Sequence, residues 1–241
     1  MRRFFCQSRN ILSDKIIIDD SAEIHHIKNV SRFKIKDIIS VFDEQGAQYK
    51  CFIDSFGTDN IRLKIIAKDQ ASRKSNVNLT VCCAIAKGNR FTYTLEKLTE
   101  LGVGRIIPLM TKRTIPNVTL KKDKKIERWK KIILAACKQS FRKDIPEISL
   151  PLSFEDALLL KDEFSLKMIA YKHEESIPLK EVLENNSLKN VILFIGPEGD
   201  FTSFEITQAK KNDFILVSLG RNTLRVDTAS IYSSSVIMSY E

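Results

Sequence analysis

Two short apolar runs near the C-terminus each empty into a glycine-bearing loop, and this repeated arrangement limits the possible folds more than any other feature of the chain. Residues 191–195 (V-I-L-F-I) run into Gly196-Pro197-Glu198-Gly199-Asp200-Phe201-Thr202. Residues 214–217 run into Leu219-Gly220-Arg221-Asn222-Thr223-Leu224-Arg225-Val226-Asp227-Thr228-Ala229. Continuous apolar runs of this length, bounded by turn residues, read as strands buried on both faces, the habit of parallel sheets. Each loop leads into a helix-like pattern. The layout suits a ligand held by main-chain groups at the C-terminal ends of parallel strands. Glycine serves there because a missing Cβ permits close approach or positive φ.

The rest of the chain extends this pattern upstream. From residue 79 onward, strand and helix signals alternate: strands at 79–86, 106–110, 166–170, 191–195 and 214–217, and helices at 91–101, 122–141, 154–160, 177–184, 203–211 and 228–239. Such alternation predicts an α/β domain with a mainly parallel sheet. Residues 1–70 instead carry short β-like runs at 15–18, 38–42, 49–53 and 61–66, separated by Glu44-Gln45-Gly46 and Phe56-Gly57-Thr58-Asp59-Asn60. Strands at this spacing predict a small barrel. The polar stretch 68–78 reads as a linker, so the expected domains are 1–72 and 73–241.

Charge is uneven along the chain. The net charge is +9, but residues 86–145 hold 16 Lys/Arg against 5 Asp/Glu, while residues 146–241 hold 9 against 15. A basic block in the middle of an otherwise ordinary protein suggests a polyanion partner; a solvated lysine-rich face is the alternative. Within 122–141, Trp129, Ile132, Ile133, Ala136 and Phe141 make an apolar stripe at helical spacing. Lys124, Arg128, Lys131, Lys138 and Arg142 share another face, where they would track a phosphate backbone. Trp129 sits in the stripe and reads as core, not as a base-stacking platform.

Other classes are disfavoured. No apolar stretch approaches 18 residues, so no membrane span is expected. The start, M-R-R-F-F-C-Q-S, lacks a signal-peptide core. Five cysteines (6, 51, 82, 83, 137) form no C-x-x-C pair, and with three histidines a metal site is not expected. Reduced thiols and a cytoplasmic location follow. Gly102-Val103-Gly104 follows a helix pattern instead of a strand and reads as a helix stop, not a dinucleotide loop. Neither a P-loop nor a G-x-S-x-G elbow occurs.

The two C-terminal loops together carry a resemblance. I-G-P-E-G-D-F (195–201) and L-G-x-x-x-L-R-x-D-T-A (219–229) resemble the second and third signature loops of SPOUT methyltransferases, and are most similar to those of the 16S ribosomal RNA (uracil-N3)-methyltransferase family. Arg2-Arg3-Phe4-Phe5 resembles that family's opening, and His26-Ile27 through Val30-Ser31-Arg32 its H-h…V-L-R segment. Lys87-Gly88 with Glu96-Lys97-x-x-Glu100-Leu101-Gly102 is similar to K-G…K-x-x-E-L-G, and Trp129 with Gln139-Ser140-Phe141-Arg142 and Pro146 to W…Q-S-x-R…P. The likeness runs in order along nearly the whole chain. Two departures stand out: Asp200 replaces a second glycine, and Asn222-Thr223-Leu224-Arg225-Val226-Asp227-Thr228 replaces R-x-L-R-T-E-T. Asp200 implies either that the site does not need positive φ or that Asp tolerates it.

The resemblance implies a PUA-like β-barrel for 1–72 and a SPOUT domain with a C-terminal trefoil knot for 73–241. It implies S-adenosylmethionine bound by Ile195, Gly196, Pro197, Glu198, Gly199, Leu219, Gly220, Leu224, Thr228 and Ala229. The implied partner is small-subunit ribosomal RNA, in an assembled or nearly assembled subunit, touched by Arg2, Arg3, Arg32, Lys87, Arg113, Lys131 and Lys138. A homodimer is implied as well. Methylation at uridine N3 requires loss of a proton, alignment with a sulfonium methyl, and support for charge on the uracil oxygens. Arg225, Asp227 and Arg142 are the candidate catalytic residues. Arg225 or Arg142 donates to a uracil oxygen; Asp227 or Glu198 accepts the proton or faces the sulfonium. Structural roles compete: Asp227 as N-cap of the final helix, Glu198 as a loop brace, Arg142 as a phosphate contact. Two other functions fit less well: a non-catalytic ribosome-assembly protein, which would not need both loops, and ribose 2′-O-methylation, which the N-terminal barrel and Q-S-x-R segment disfavour.

Overall fold

The computed structural model describes residues 2–69, 75–114 and 122–241. The chain forms two compact units, Met1–Lys74 with Cys137–Ile145, and Ser75–Ala136 with Pro146–Glu241. The return of nine later residues to the N-terminal unit leaves no trace in composition.

In the N-terminal unit, β1 (Arg3–Phe5), β2 (Lys15–Ile18), the short α1 (Ser21–His25), β3 (Ile38–Phe42), β4 (Gln48–Phe56) and β5 (Ile61–Asp69) follow one another. The strands form one sheet in the order β1-β3-β4-β5-β2. β1 runs parallel to β3, and the other pairs are antiparallel. Alternation explains the face that is buried. Tyr49, Cys51 and Ile53 of β4 point into a core with Phe4, Ile16, Ile39, Val41, Ile61 and Leu63, while Lys50 and Asp54 face out. Among the described residues no ladder joins β1 to β2, so the expected barrel is a half-barrel. Asp20 caps α1 by accepting from the N–H groups of Ala22 and Glu23.

The C-terminal unit contains β6 (Asn78–Ala84), α2 (Arg90–Glu100), β7 (Arg105–Met110), α3 (Lys122–Gln139), β8 (Glu147–Ile148), β9 (Leu152–Ser153), α4 (Phe154–Leu158), β10 (Leu166–Ala170), β11 (Ile177–Pro178), α5 (Leu179–Glu184), β12 (Asn190–Ile195), α6 (Ser203–Lys211), β13 (Ile215–Ser218) and α7 (Val226–Met238); the last residues of α3 group with the other unit. All eight strands are parallel, in the order β11-β13-β10-β12-β6-β7-β8 with β9 also on β7. One face is covered by α4 and α6, whose Phe154, Ala157, Ile206 and Ala209 pack with Cys82, Ile169, Ile192 and Phe194. On the other side α7 packs against α2, α5 and β6. Burial on both faces is why these strands read as unbroken apolar runs.

Helix ends carry their own chemistry. Gly102, at φ 93°, stops α2, and the N–H of Val103 returns to the Leu98 carbonyl at 3.1 Å. This is the helix stop expected of Gly102-Val103-Gly104. α3 ends earlier than its periodicity suggests. Phe141 takes φ 56°, the N–H of Arg142 bonds the Cys137 carbonyl at 3.1 Å, and the Phe141 side chain is 60% exposed instead of joining the apolar stripe. The expected helix at 177–184 begins as β11, because Pro178 supplies extended backbone before α5 starts. Trp129 is buried against Phe91 at 4.8 Å between ring centroids, as core. Among the described residues no helix is long and apolar enough to cross a membrane.

Candidate active site

Because β13, β10 and β12 are neighbours, the segments leaving their C-terminal ends share one edge of the sheet. They enclose a cavity. Ala170 ends β10, and Tyr171 and Lys172 follow it; Ile195 ends β12, and residues 196–198 and Asp200 follow it; Val217 belongs to β13, and Leu219, Gly220 and residues 222–224 follow that strand; Val226 and Ala229 come from the first turn of α7.

The loop after β12 is heavily braced. A Cβ on Gly196 would stand 2.9 Å from the buried Phe201 ring, so glycine here admits a protein side chain. The N–H of Asp200 bonds the Pro197 carbonyl at 2.9 Å, and Asp200 takes φ 60°. Of the two readings of this departure, the second holds: aspartate tolerates the left-handed conformation. Arg113, following β7, donates to the carbonyls of Gly199 and Phe201. Glu205 is 2% exposed and accepts from the N–H of Lys112 at 2.9 Å and from the N–H and hydroxyl of Thr202 at 2.7 and 2.8 Å, completing a capping box on α6. Arg90 reaches Glu198 at 3.4 Å, with both side chains well exposed.

The loop after β13 is open. Gly220 lies at φ 121°, and a Cβ there would meet nothing within 4 Å. Among the described residues, the main-chain N–H groups of Leu219, Asn222, Thr223 and Leu224 have no hydrogen-bond partner. Lys172 donates to the Arg221 carbonyl at 2.8 Å.

Most of the residues expected to bind cofactor line the cavity: Ile195, Gly196, Pro197, Glu198, Leu219, Gly220, Leu224 and Ala229. Gly199 and Thr228 do not; Gly199 packs on the Arg113 stem, and Thr228 is exposed. Missed by sequence reasoning were Tyr171 and Lys172, since the run at 166–170 ends without a glycine to mark its loop. In the sequence, Asp200, Asn222 and Thr223 stand out only as departures from the family pattern. Arg225 is the N-cap residue of α7, without a side-chain cap. This corrects the capping role considered for Asp227, which is the second residue of the helix, two positions past the cap. Asp227 Oδ1 is buried with no hydrogen-bond partner. Arg142 groups with the N-terminal unit, where its guanidinium pairs with Asp144.

The expected RNA-contact residues divide in the same way. Arg2, Arg32, Lys87 and Lys131 are exposed, and so are Lys124 and Arg128 of the α3 ridge. Arg3 is not on the surface. It is 5% exposed, stacked 3.9 Å over Phe42, and donates to the carbonyls of Cys137 and Arg142. Lys138 likewise ends in an ion pair with the buried Glu23. Arg113 is committed to the loop after β12. The cationic ridge of α3 is therefore shorter than the sequence spacing suggests. All five cysteines are buried and free, and burial pushes the Cys6, Cys51 and Cys83 thiols up to about 12, which leaves no thiolate for catalysis.

The cavity fits S-adenosylmethionine. Unpaired main-chain N–H groups at 219 and 222–224 suit acceptors on a purine and ribose, Ile195, Leu219, Leu224 and Ala229 supply apolar walls for an adenine, and carboxylates are at hand for a cationic group. Comparison with known proteins agrees. A sequence model of the RNA methyltransferase domain matches residues 73–238, and one of the RNA methyltransferase PUA domain matches residues 18–66. The chain is 31% identical to Ribosomal RNA small subunit methyltransferase E of Mesomycoplasma hyopneumoniae, covering 96% of each, and 30% identical to that of Bacillus subtilis, covering 91% of this chain and 88% of the relative. Its structure resembles a Ribosomal RNA small subunit methyltransferase E from Neisseria gonorrhoeae bound to S-adenosyl methionine, with TM-score 0.88, 26% identity, and 100% and 98% of the two chains covered. With a PUA-like half-barrel, an all-parallel methyltransferase sheet and this cavity at its edge, the chain belongs to the RNA methyltransferase family of the ribosomal small subunit methyltransferase E type.

Proposed function

We propose that this protein transfers a methyl group from S-adenosylmethionine to N3 of one uridine in 16S ribosomal RNA. The observation that carries this reading is the cavity at the ends of β10, β12 and β13, into which both signature loops face. The names of the relatives support the small-subunit substrate. Residues 219–225 cross from β13, past the ends of β10 and β12, to an α7 packed on β6. We read this crossing as the trefoil knot of the SPOUT domain, and 1–72 and 73–241 as the functional domains.

Bound S-adenosylmethionine supplies an electrophilic methyl group. The chain's own residues do the rest. Main-chain groups at 195–198 and 219–224 hold the cofactor. Arg225, exposed at the N-cap of α7, donates to a uracil oxygen as the ring becomes anionic. Asp227, with its unpartnered Oδ1, accepts the N3 proton. Glu198 braces its loop through Arg90. Arg142, with its side chain 8% exposed and paired with Asp144, does not donate to the uracil, and Arg225 takes that role alone.

N3 lies on the Watson–Crick edge, so the target uridine must be unpaired or flipped out. Arg2, Arg32, Lys87 and Lys131, all exposed, grip the surrounding phosphates. A folded target of this kind favours an assembled or nearly assembled subunit over a short oligonucleotide. The protein acts in the cytoplasm as a homodimer. The decisive experiment incubates it with labelled S-adenosylmethionine and small subunits from a strain lacking the modification, then maps the label by nuclease digestion and mass spectrometry. Label at N3 of a single uridine is expected. RNA binding without label would instead indicate an assembly protein on a methyltransferase fold, and label on a ribose would indicate 2′-O-methylation.

A further inference from the structure

The cavity has an unbalanced charge. Its lining includes three charged side chains, Lys172, Glu198 and Asp200. Lys172 is directed to the Arg221 carbonyl, and Glu198 is paired with Arg90. Asp200 has neither kind of partner. Its Oδ1 accepts only the N–H of Phe201, at 2.8 Å, and among the described residues its Oδ2 has no hydrogen bond or ion pair. Arg113, the cation whose charge acts on it, donates instead to the Gly199 and Phe201 carbonyls. Burial accordingly pushes the Asp200 carboxyl above its usual range, opposed by the Phe201 N–H and by Arg113. Position 200 also has a φ of 60°, a conformation that glycine adopts at less cost, so aspartate is present despite the backbone and not because of it.

A partly desolvated carboxylate facing a ligand cavity favours a ligand that brings a positive charge. We propose that Asp200 is a specificity residue that recognises the sulfonium of S-adenosylmethionine, and so favours the methyl donor over its neutral thioether product, S-adenosylhomocysteine. This rests on the cofactor assignment made above. The two molecules share adenine, ribose, ammonium and carboxylate, so those contacts cancel when their affinities are compared. What differs is the methyl group and the charge on sulfur. When the methyl leaves, sulfur keeps the bonding pair and becomes neutral, and Asp200 loses its partner. Product release is thereby favoured without any movement of the protein.

Calorimetric titration of the full chain tests this with three probes: S-adenosylmethionine, S-adenosylhomocysteine, and sinefungin, which carries an amine-bearing carbon in place of the sulfonium. Asp200→Asn and Asp200→Gly both permit positive φ and remove the charge. Each should weaken binding of the two cationic probes about tenfold, the scale of one partly screened charge pair, and leave S-adenosylhomocysteine within about twofold. Equal weakening of all three probes would make Asp200 a purely structural residue and overturn the proposal, as would unchanged affinities. Failure of the wild-type protein to bind S-adenosylmethionine at all would sink the cofactor assignment itself. Wild-type binding with no preference between donor and product would sink only the role of Asp200.

Discussion

The two loops that face the cavity look alike in sequence and are built in opposite ways. The loop after β12 is held by the protein: the Phe201 ring fills the space left by Gly196, Arg113 takes two carbonyls, and Glu205 ties Thr202 to Lys112. In the loop after β13, four main-chain N–H groups have no partner among the described residues, and Gly220 stands in open space. Glycine therefore has two meanings in one site. In the first loop it accommodates the fold, and in the second it leaves room for a ligand. Damage to the first loop should appear in stability, and damage to the second in affinity.

Glu205→Ala should produce the largest effect. It removes a buried carboxylate that accepts three hydrogen bonds and completes the α6 cap, at a cost of about 3 kcal/mol. Chemical denaturation should show that loss directly, and Glu205→Gln, which keeps one acceptor oxygen, should recover about half of it. Gly196→Ala comes next. Its Cβ would meet a ring that is 2% exposed and packed on Phe154, so the ring cannot swing away cheaply. A loss of about 2 kcal/mol is expected for such overpacking. If Gly196→Ala were as stable as wild type but failed to bind cofactor, the contrast between the loops would be wrong.

Gly220→Ala tests the other side. No atom obstructs the new methyl, so only the backbone at φ 121° resists it, by about 1 kcal/mol. The Kd for S-adenosylmethionine should rise by more than that stability loss explains, on the order of tenfold. A variant with a lowered Tm and unchanged Kd would mean that this loop, too, is chiefly structural.

These distinctions show what the sequence could and could not reveal. The parallel sheet was legible because strands buried on both faces must be apolar throughout, and Trp129 was legible because helical spacing placed it with Ile133 and Ala136. The edge that holds the cavity followed from the two glycine-marked strand ends. What failed was anything decided by a partner distant in sequence. Arg3 and Lys138 read as surface cations, yet Phe42 covers the first and Glu23 ties down the second, each far along the chain. Phe141 read as core because its spacing was right, but α3 ends on a left-handed residue that is not glycine, so no stop signal existed. Lys172 was invisible because the segment after β10 carries no glycine. Asp227 was misplaced by two residues because α7 already starts at Val226, and helix starts are poorly marked where the cap residue is an arginine.

The smallest expected effect is the most specific. Asp200 carries its charge in a place that disfavours it, so Asp200→Asn should slightly stabilise the protein without ligand at neutral pH, by a shift in Tm of a degree or two at most. The sign follows from linkage. The carboxyl is raised in the folded protein, so between its ordinary value of 3.8 and its folded value the native state holds more protons than the unfolded chain. In wild type, stability from this group is fully present below 3.8 and is lost as pH rises through the folded value. The advantage of the asparagine variant should therefore be complete near neutrality and vanish as the pH falls through that window. The charged groups around the carboxylate, Arg113, Lys172 and the Arg90-paired Glu198, are the same in both proteins, so the comparison isolates position 200. Melting both proteins across that range in the presence of excess S-adenosylmethionine should reverse the order at neutral pH, because the sulfonium then supplies the charge partner that the empty cavity lacks. If the asparagine variant remained the more stable protein with cofactor bound, Asp200 would be a cost of the loop with no return in recognition.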